Sequence, residues 1–181
     1  IAFPDELERL AYVQTKLRGA IAQAEKTVKK YVVAYRDNKK YVSDSKGELD
    51  PQEIFENERM QKEIDSRGAF AAENLRRLER LWNSPYFARI DFREESKNVS
   101  ERFYIGSYAF MRDDELLISD WRSPVAGMFY DCEVGPAGYV SPDGPVEGTL
   151  TRKRQFKFIN GVMEYALETS DNIRDDILSL E

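Results

Sequence analysis

Two apolar series stepping alternately by three and four residues run through the first half of this chain and leave it little choice of fold. The first comprises Leu7, Leu10, Leu17, Ile21, Ala24, Val28, Tyr31 and Tyr35, interrupted by Gln14; the second comprises Ile54, Ile64, Ala71, Leu75, Leu78 and Trp82. That period is a coiled-coil seam, narrower than the apolar face of an ordinary globular helix. Pro4 with Asp5, Glu6 and Glu8 suits a first turn, where proline needs no donor and acids complement the helix dipole. Asp50-Pro51-Gln52-Glu53 reads as an N-cap, a first-turn proline and a capping-box acid. Asn83-Ser84-Pro85 ends the second helix. The short polar stretch from Ser43 to Leu49 makes the helices antiparallel neighbours, a hairpin of about 50 Å at 1.5 Å per residue. Leu10 and Leu17 are expected opposite Leu75 and Leu78. The seam weakens toward the turn, where Asn38, Asn57 and Gln61 occupy it.

After Pro85 the period drops to two. Alternation over residues 87–93, 102–106 and 155–159 predicts strands, and 116–120, 127–131 and 138–140 read as further short ones. Pro142-Asp143-Gly144-Pro145 and Asn160-Gly161 are turn chemistry. A last helix is expected from near Ser170. The reading is an α+β chain: an antiparallel helical hairpin over 1–85, then a small, mostly antiparallel β domain over 86–181 that ends in a helix.

Composition narrows the chemistry. Among 181 residues there is no histidine and one cysteine, Cys132. A Ser-His-Asp triad, a Cys-His pair, a His-ligated zinc and an intrachain disulfide are all excluded. No apolar run reaches the roughly 18–20 residues of a membrane-spanning helix. Residues 1–85 carry 16 basic and 15 acidic groups and the remainder 11 and 18, giving +1 and −7, or −6 in all. An acidic chain is a poor general binder of nucleic acid, although local basic patches remain open. The start at Ile1 without Met reads as a piece of a longer protein, and Leu180-Glu181 as either native or a vector remnant.

Three acidic groupings and one basic grouping invite functional readings. Asp113-Asp114-Glu115 reads as a solvated turn, with a metal site as the rival. Asp120, before Trp121-Arg122-Ser123-Pro124, reads as an Asp–Arg pair locking a turn with Trp121 buried; the rival is a magnesium ligand of a hydrolase that also uses Asp114. From Asp44 to Glu58 six acids (Asp44, Glu48, Asp50, Glu53, Glu56, Glu58) crowd the hairpin tip. Helix-dipole compensation accounts for Asp50 and Glu53 but not for Asp44 and Glu48. Arg152-Lys153-Arg154, interleaved with Phe156 and Phe158, has the pattern of a strand-borne nucleic-acid surface.

Residues 84–92, Ser-Pro-Tyr-Phe-Ala-Arg-Ile-Asp-Phe, resemble the SPYFGRIDF-type segment of the HelD family. Tyr104-Ile105-Gly106 and then Asp120-Trp121-Arg122-Ser123-Pro124-Val125 resemble that family's YIG and DWRAP segments, with Ser123 where alanine is usual. Phe129-Tyr130, Gly148 and Lys153-Arg154-Gln155-Phe156 follow in the family's order, so the resemblance spans about Ser84 to Leu178. The hairpin resembles the family in layout only. The resemblance implies the N-terminal, non-catalytic region of a helicase-like factor of the UvrD/Rep type, which binds and recycles bacterial RNA polymerase in the cytoplasm. Its ATP- and magnesium-dependent RecA-like domains would begin past Glu181, and this segment would hold no cofactor or metal. The hairpin would be the arm that enters the polymerase secondary channel, with Asp44, Glu48, Asp50 and Glu53 as its polymerase-binding tip. Asp120, Trp121, Arg122 and Pro124 would be structural. Core RNA polymerase is the expected partner, with nucleic acid reached through the parent protein and no membrane. The alternatives are a DNA-binding accessory domain of a conventional helicase, contacting DNA through Arg152, Lys153 and Arg154, and the metal-dependent hydrolase.

Overall fold

The computed structural model describes residues 3–45 and 47–169. Its elements in chain order are α1 (Pro4–Asp44), α2 (Pro51–Asn83), β1 (Ala88–Glu94), β2 (Ser100–Gly106), β3 (Phe110–Arg112), β4 (Glu115–Asp120), α3 (Pro124–Asp131), β5 (Gly135–Ser141), β6 (Gly144–Ile159) and β7 (Val162–Thr169). The fold class is the expected α+β. The helix expected from Ser170 lies outside the described residues.

Contacts divide the chain into two units: residues 17–79, and residues through Lys16 together with those from Arg80 onward. The division drawn from the sequence at Pro85 therefore misses one thing, because the first turns of α1 belong with the sheet. The reason is polar. Arg9 Nη2 donates to Leu117 O at 3.4 Å, Tyr12 Oη to Glu115 Oε2 at 2.6 Å, Gln14 Nε2 to Gly161 O at 2.8 Å and Lys16 Nζ to Asp113 Oδ2 at 2.8 Å. Gln14, an interruption in the seam, is thus a sheet contact. Leu7, counted in the seam, is exposed.

In the hairpin unit Leu17, Ala20, Ala24, Ala71 and Leu78 are buried, and Leu75 is half-buried. Farther toward the loop the apolar seam gives way to amides. Asn38 is buried, donates through Nδ2 to Gln61 Oε1 at 2.5 Å, and accepts at Oδ1 from Asn57 Nδ2 at 2.9 Å. Each amide finds a partner, so this polar layer closes the seam that the sequence suggested would stay loose.

The sheet has the order β3-β4-β2-β1-β6-β5, and β7 also pairs with β6. All pairings are antiparallel except β2 with β4. The 16-residue β6 carries β1 along one edge and β5 and β7 along the other. Asn160 (φ 50°) and Gly161 (φ 81°) form the tight β6–β7 turn, as the Asn-Gly pair predicts. One face of the sheet carries a buried cluster in which Ala88, Ile90, Phe92, Ile105 and Leu150 pack with Ala126 and Met128 of α3.

Residues 127–131, read as a strand, are helical. The deciding signal lies just upstream. Ser123 is an N-cap whose Oγ accepts from Ala126 N, and Pro124 takes a first-turn position. Residues 135–138, a glycine-rich stretch, are part of strand β5.

Candidate functional site

The hairpin tip is built by an orderly exit from α1 and a capped entry to α2. Ser45 N donates to Tyr41 O at 3.0 Å, and Glu48 N to Ser45 O at 3.0 Å. Gly47 sits at φ 85°, a left-handed conformation that favours glycine. Asp50 then caps α2: its Oδ1 accepts from Glu53 N at 2.8 Å, and its carbonyl accepts from Ile54 N at 3.0 Å. Asp44, Glu48, Asp50, Glu53, Glu56 and Glu58 are all exposed. They share one end of the hairpin but do not converge: among the described residues no group of three carboxylates or thiolates is placed to hold a metal. The tip is a spread negative field.

The segment 120–124 is a pinned turn. Asp120 Oδ1 accepts from Arg122 N at 2.8 Å and Nε at 3.0 Å, and Oδ2 accepts from Arg122 Nη2 at 2.9 Å. These bonds hold the Asp120 carboxyl below its usual range. Ser123 Oγ donates to Asp120 O at 2.7 Å, and Trp121 N donates to Gly106 O at 2.9 Å. The expectation that Trp121 is buried fails: it is 47% exposed. Its backbone is held by the sheet while its indole lies outside the core, with the Arg122 guanidinium 5.9 Å from the ring. Gly106 is fixed by space, since a Cβ there would sit 2.4 Å from Pro85 O. The Asp113-Asp114-Glu115 turn has φ values of 52° and 61° at its two aspartates. Two of its three carboxylates are tied to α1, Asp113 to Lys16 and Glu115 to Tyr12.

The basic run on β6 does not form an outward surface. Arg154 is buried, with Nη1 on Glu6 Oε2 at 2.9 Å and Asp5 Oδ2 at 2.9 Å and Nε on Glu168 Oε1 at 3.0 Å. Arg152 pairs with Glu168 at 2.6 Å. Lys153 Nζ donates to Cys132 O at 2.9 Å beneath the Phe129 ring, and burial lowers its pKa.

Arg154 belongs to a cluster that the sequence reading missed. Strand register lines up Tyr104, Arg89, Arg154 and Glu168 across β2, β1, β6 and β7. Glu6, fully buried, lies on this row. Its Oε2 accepts from Arg89 Nη1 at 3.1 Å as well as from Arg154, and its Oε1 accepts from Tyr104 Oη at 2.5 Å. Asp91 holds Arg89 bidentately at 2.8 and 3.0 Å. Burial works against the Arg89 charge, but Asp91 and Glu6 outweigh it and raise its pKa. Burial and the bond to Glu6 together push the Tyr104 hydroxyl upward. Two arginines side by side on neighbouring strands would repel; the carboxylate between them turns the row into a lock joining α1 to the sheet. Arg89 lies in the segment resembling Arg-Ile-Asp-Phe and Arg154 in that resembling Lys-Arg-Gln-Phe, so each segment contributes one buried arginine to this row.

A sequence model described as the N-terminal domain of DNA helicase IV HelD matches residues 3–176. The chain belongs to the HelD N-terminal domain family. The match includes the hairpin, so the HelD assignment extends beyond the segment that carried the resemblance. Comparison with curated proteins gives no match. Among the described residues no helix of this HelD domain is long and apolar enough to cross a membrane.

Proposed function

We propose that this domain is the non-catalytic interaction module of a HelD-like ATPase: its hairpin enters the secondary channel of bacterial RNA polymerase and promotes release of the enzyme from nucleic acid. The observation that carries the reading is the tip. Two helices of 41 and 33 residues turn back on each other through a short loop ringed by exposed acids. Among the described residues none of Asp44, Glu48, Asp50 and Glu53 forms an ion pair, so their charge is available to a partner. Residues 17–44 span about 42 Å at 1.5 Å per residue, the dimension of a probe rather than of a packed domain. Like charges gathered at the tip repel, by tenths of a kcal/mol per exposed pair. A basic wall or a cation in the channel offsets that repulsion. ATP and magnesium belong to the parent protein, which acts in the cytoplasm.

The test is neutralisation of the tip in the full-length protein by Asp44→Asn, Glu48→Gln, Asp50→Asn and Glu53→Gln. Asparagine caps a helix about as well as aspartate, so the fold is kept. The expected result is unchanged helicity with weaker binding to core RNA polymerase or less recycling. Unchanged affinity and recycling with helicity intact would remove the tip from the mechanism. The rival use of Arg152, Lys153 and Arg154 on DNA is disfavoured by their internal pairing.

A further inference from the structure

The side of α1 turned away from the hairpin seam carries a stripe of cations that neither the fold nor the acidic tip accounts for. Lys26, Lys29, Lys30, Arg36 and Lys40 are all exposed. At 3.6 residues per turn they fall within an arc of about 120°, opposite the seam residues Ala24, Tyr31 and Asn38. Asp37 and, one turn beyond Lys40, Asp44 also lie inside that arc. Among the described residues none of the five cations forms an ion pair, and Lys30 Nζ lies 5.6 Å from the centre of the Tyr31 ring. Lys26 with Lys29, Lys26 with Lys30, and Arg36 with Lys40 are like-charge pairs at helical neighbour spacing, which is unfavourable for an isolated helix. Acids at the same spacing lie on α1 itself, Glu25 four residues before Lys29, Asp37 three before Lys40 and Asp44 four after it, and among the described residues none of them forms an ion pair with the stripe.

We propose that this face binds the phosphate backbone of duplex nucleic acid. Charge complementarity carries the proposal. The stripe extends about 21 Å along α1, a length over which a duplex carries about twelve phosphates counting both strands, enough to face five cations. The face has Val33 but no aromatic ring at its centre. A tight protein interface is centred as a rule on a desolvated apolar or aromatic anchor. A lipid surface needs an apolar face beneath the cations. A single strand draws much of its affinity from aromatic stacking. A duplex backbone asks only for placed cations and yields no sequence preference.

The experiment measures anisotropy of a labelled 20-base-pair DNA duplex titrated with the whole chain between 50 and 200 mM salt. Five contacts give a log–log salt slope of about −4.5, a loss of about 500-fold in affinity over that range. Lys29→Gln alone lowers the slope by about 0.9, and replacing all five cations with glutamine abolishes binding while ellipticity at 222 nm is unchanged. Arg59→Gln with Lys62→Gln on α2 leaves binding as it was. The proposal is overturned by duplex binding that survives the fivefold replacement, by the lack of salt-dependent binding at 50 mM, or by a single strand of equal length binding more tightly than the duplex. No polymerase is present, so the result stands or falls separately from the channel reading.

Discussion

Replacing Glu6 with glutamine removes one negative charge from a position solvent does not reach. Its Oε2 serves Arg89 and Arg154, and its Oε1 serves Tyr104. A glutamine keeps one acceptor oxygen and turns an NH2 donor toward groups that are themselves donors. Breaking one side of a buried ion pair costs about 3–5 kcal/mol. The low end applies here, because Arg89 keeps Asp91 and Asp5 while Arg154 keeps Asp5 and Glu168. About 3 kcal/mol divided by a urea slope of about 2 kcal/mol/M moves the unfolding midpoint down by about 1.5 M. Tryptophan fluorescence is the suitable probe, since both tryptophans, Trp82 and Trp121, lie in the sheet unit. A Glu6→Gln, Arg154→Met cycle should show coupling of about 1–3 kcal/mol. A midpoint shift below about 0.3 M, which is about 0.6 kcal/mol at that slope, would refute the claim that this carboxylate holds the row together.

Tyr86 makes the opposite case. Its hydroxyl is buried against Tyr104, Phe156 and Phe158 with no hydrogen-bond partner among the described residues, and burial drives its pKa upward. Tyr86→Phe should therefore raise stability, by about 1 kcal/mol in urea titration. Replacing Asn38, Asn57 and Gln61 together with leucine should raise the thermal midpoint of the hairpin, because polar partners removed as a set leave no orphan; Asn38→Leu alone should lower it. Asp120 has a folded pKa below its usual 3.8, so its contribution is complete above that value and is lost as pH falls through the lower folded value. The stability gap between wild type and Asp120→Asn should close in acid below about pH 3.8.

The hairpin was legible because its signals are local: seam period, cap and loop lie within a few residues of one another. The tight turns at Asn160-Gly161 and Asp113-Asp114 were legible for the same reason. Residues 127–131 are not legible as a helix by period, because a short apolar run carries none; the helix signal is Ser123-Pro124, just upstream. For Arg154 a usable signal was present. It shares strand parity with Phe156 and Phe158, which places it on their face rather than between them. Glu6 was beyond reach, since an acid in a first turn is explained by the dipole alone and its second arginine lies 148 positions away. Trp121 was misplaced because a pinned backbone does not imply a covered side chain.

That distance of 148 positions also sets an order of events on the ribosome. Synthesis proceeds at about 5–20 residues per second, so the Glu6 carboxylate emerges roughly 7–30 s before Arg154. Arg89 follows Glu6 by 83 positions; from then until β6 appears β1 has no β6 to lie against, and Arg89, held by Asp91, can meet Glu6 only as a partial row. The emergence of a single strand, β6, supplies the missing arginine and the edges for β1, β5 and β7 together. The nascent sheet is thus held incomplete until its last third is made and then closes around one strand, which makes the interval before β6 appears the period when chaperones have most to bind.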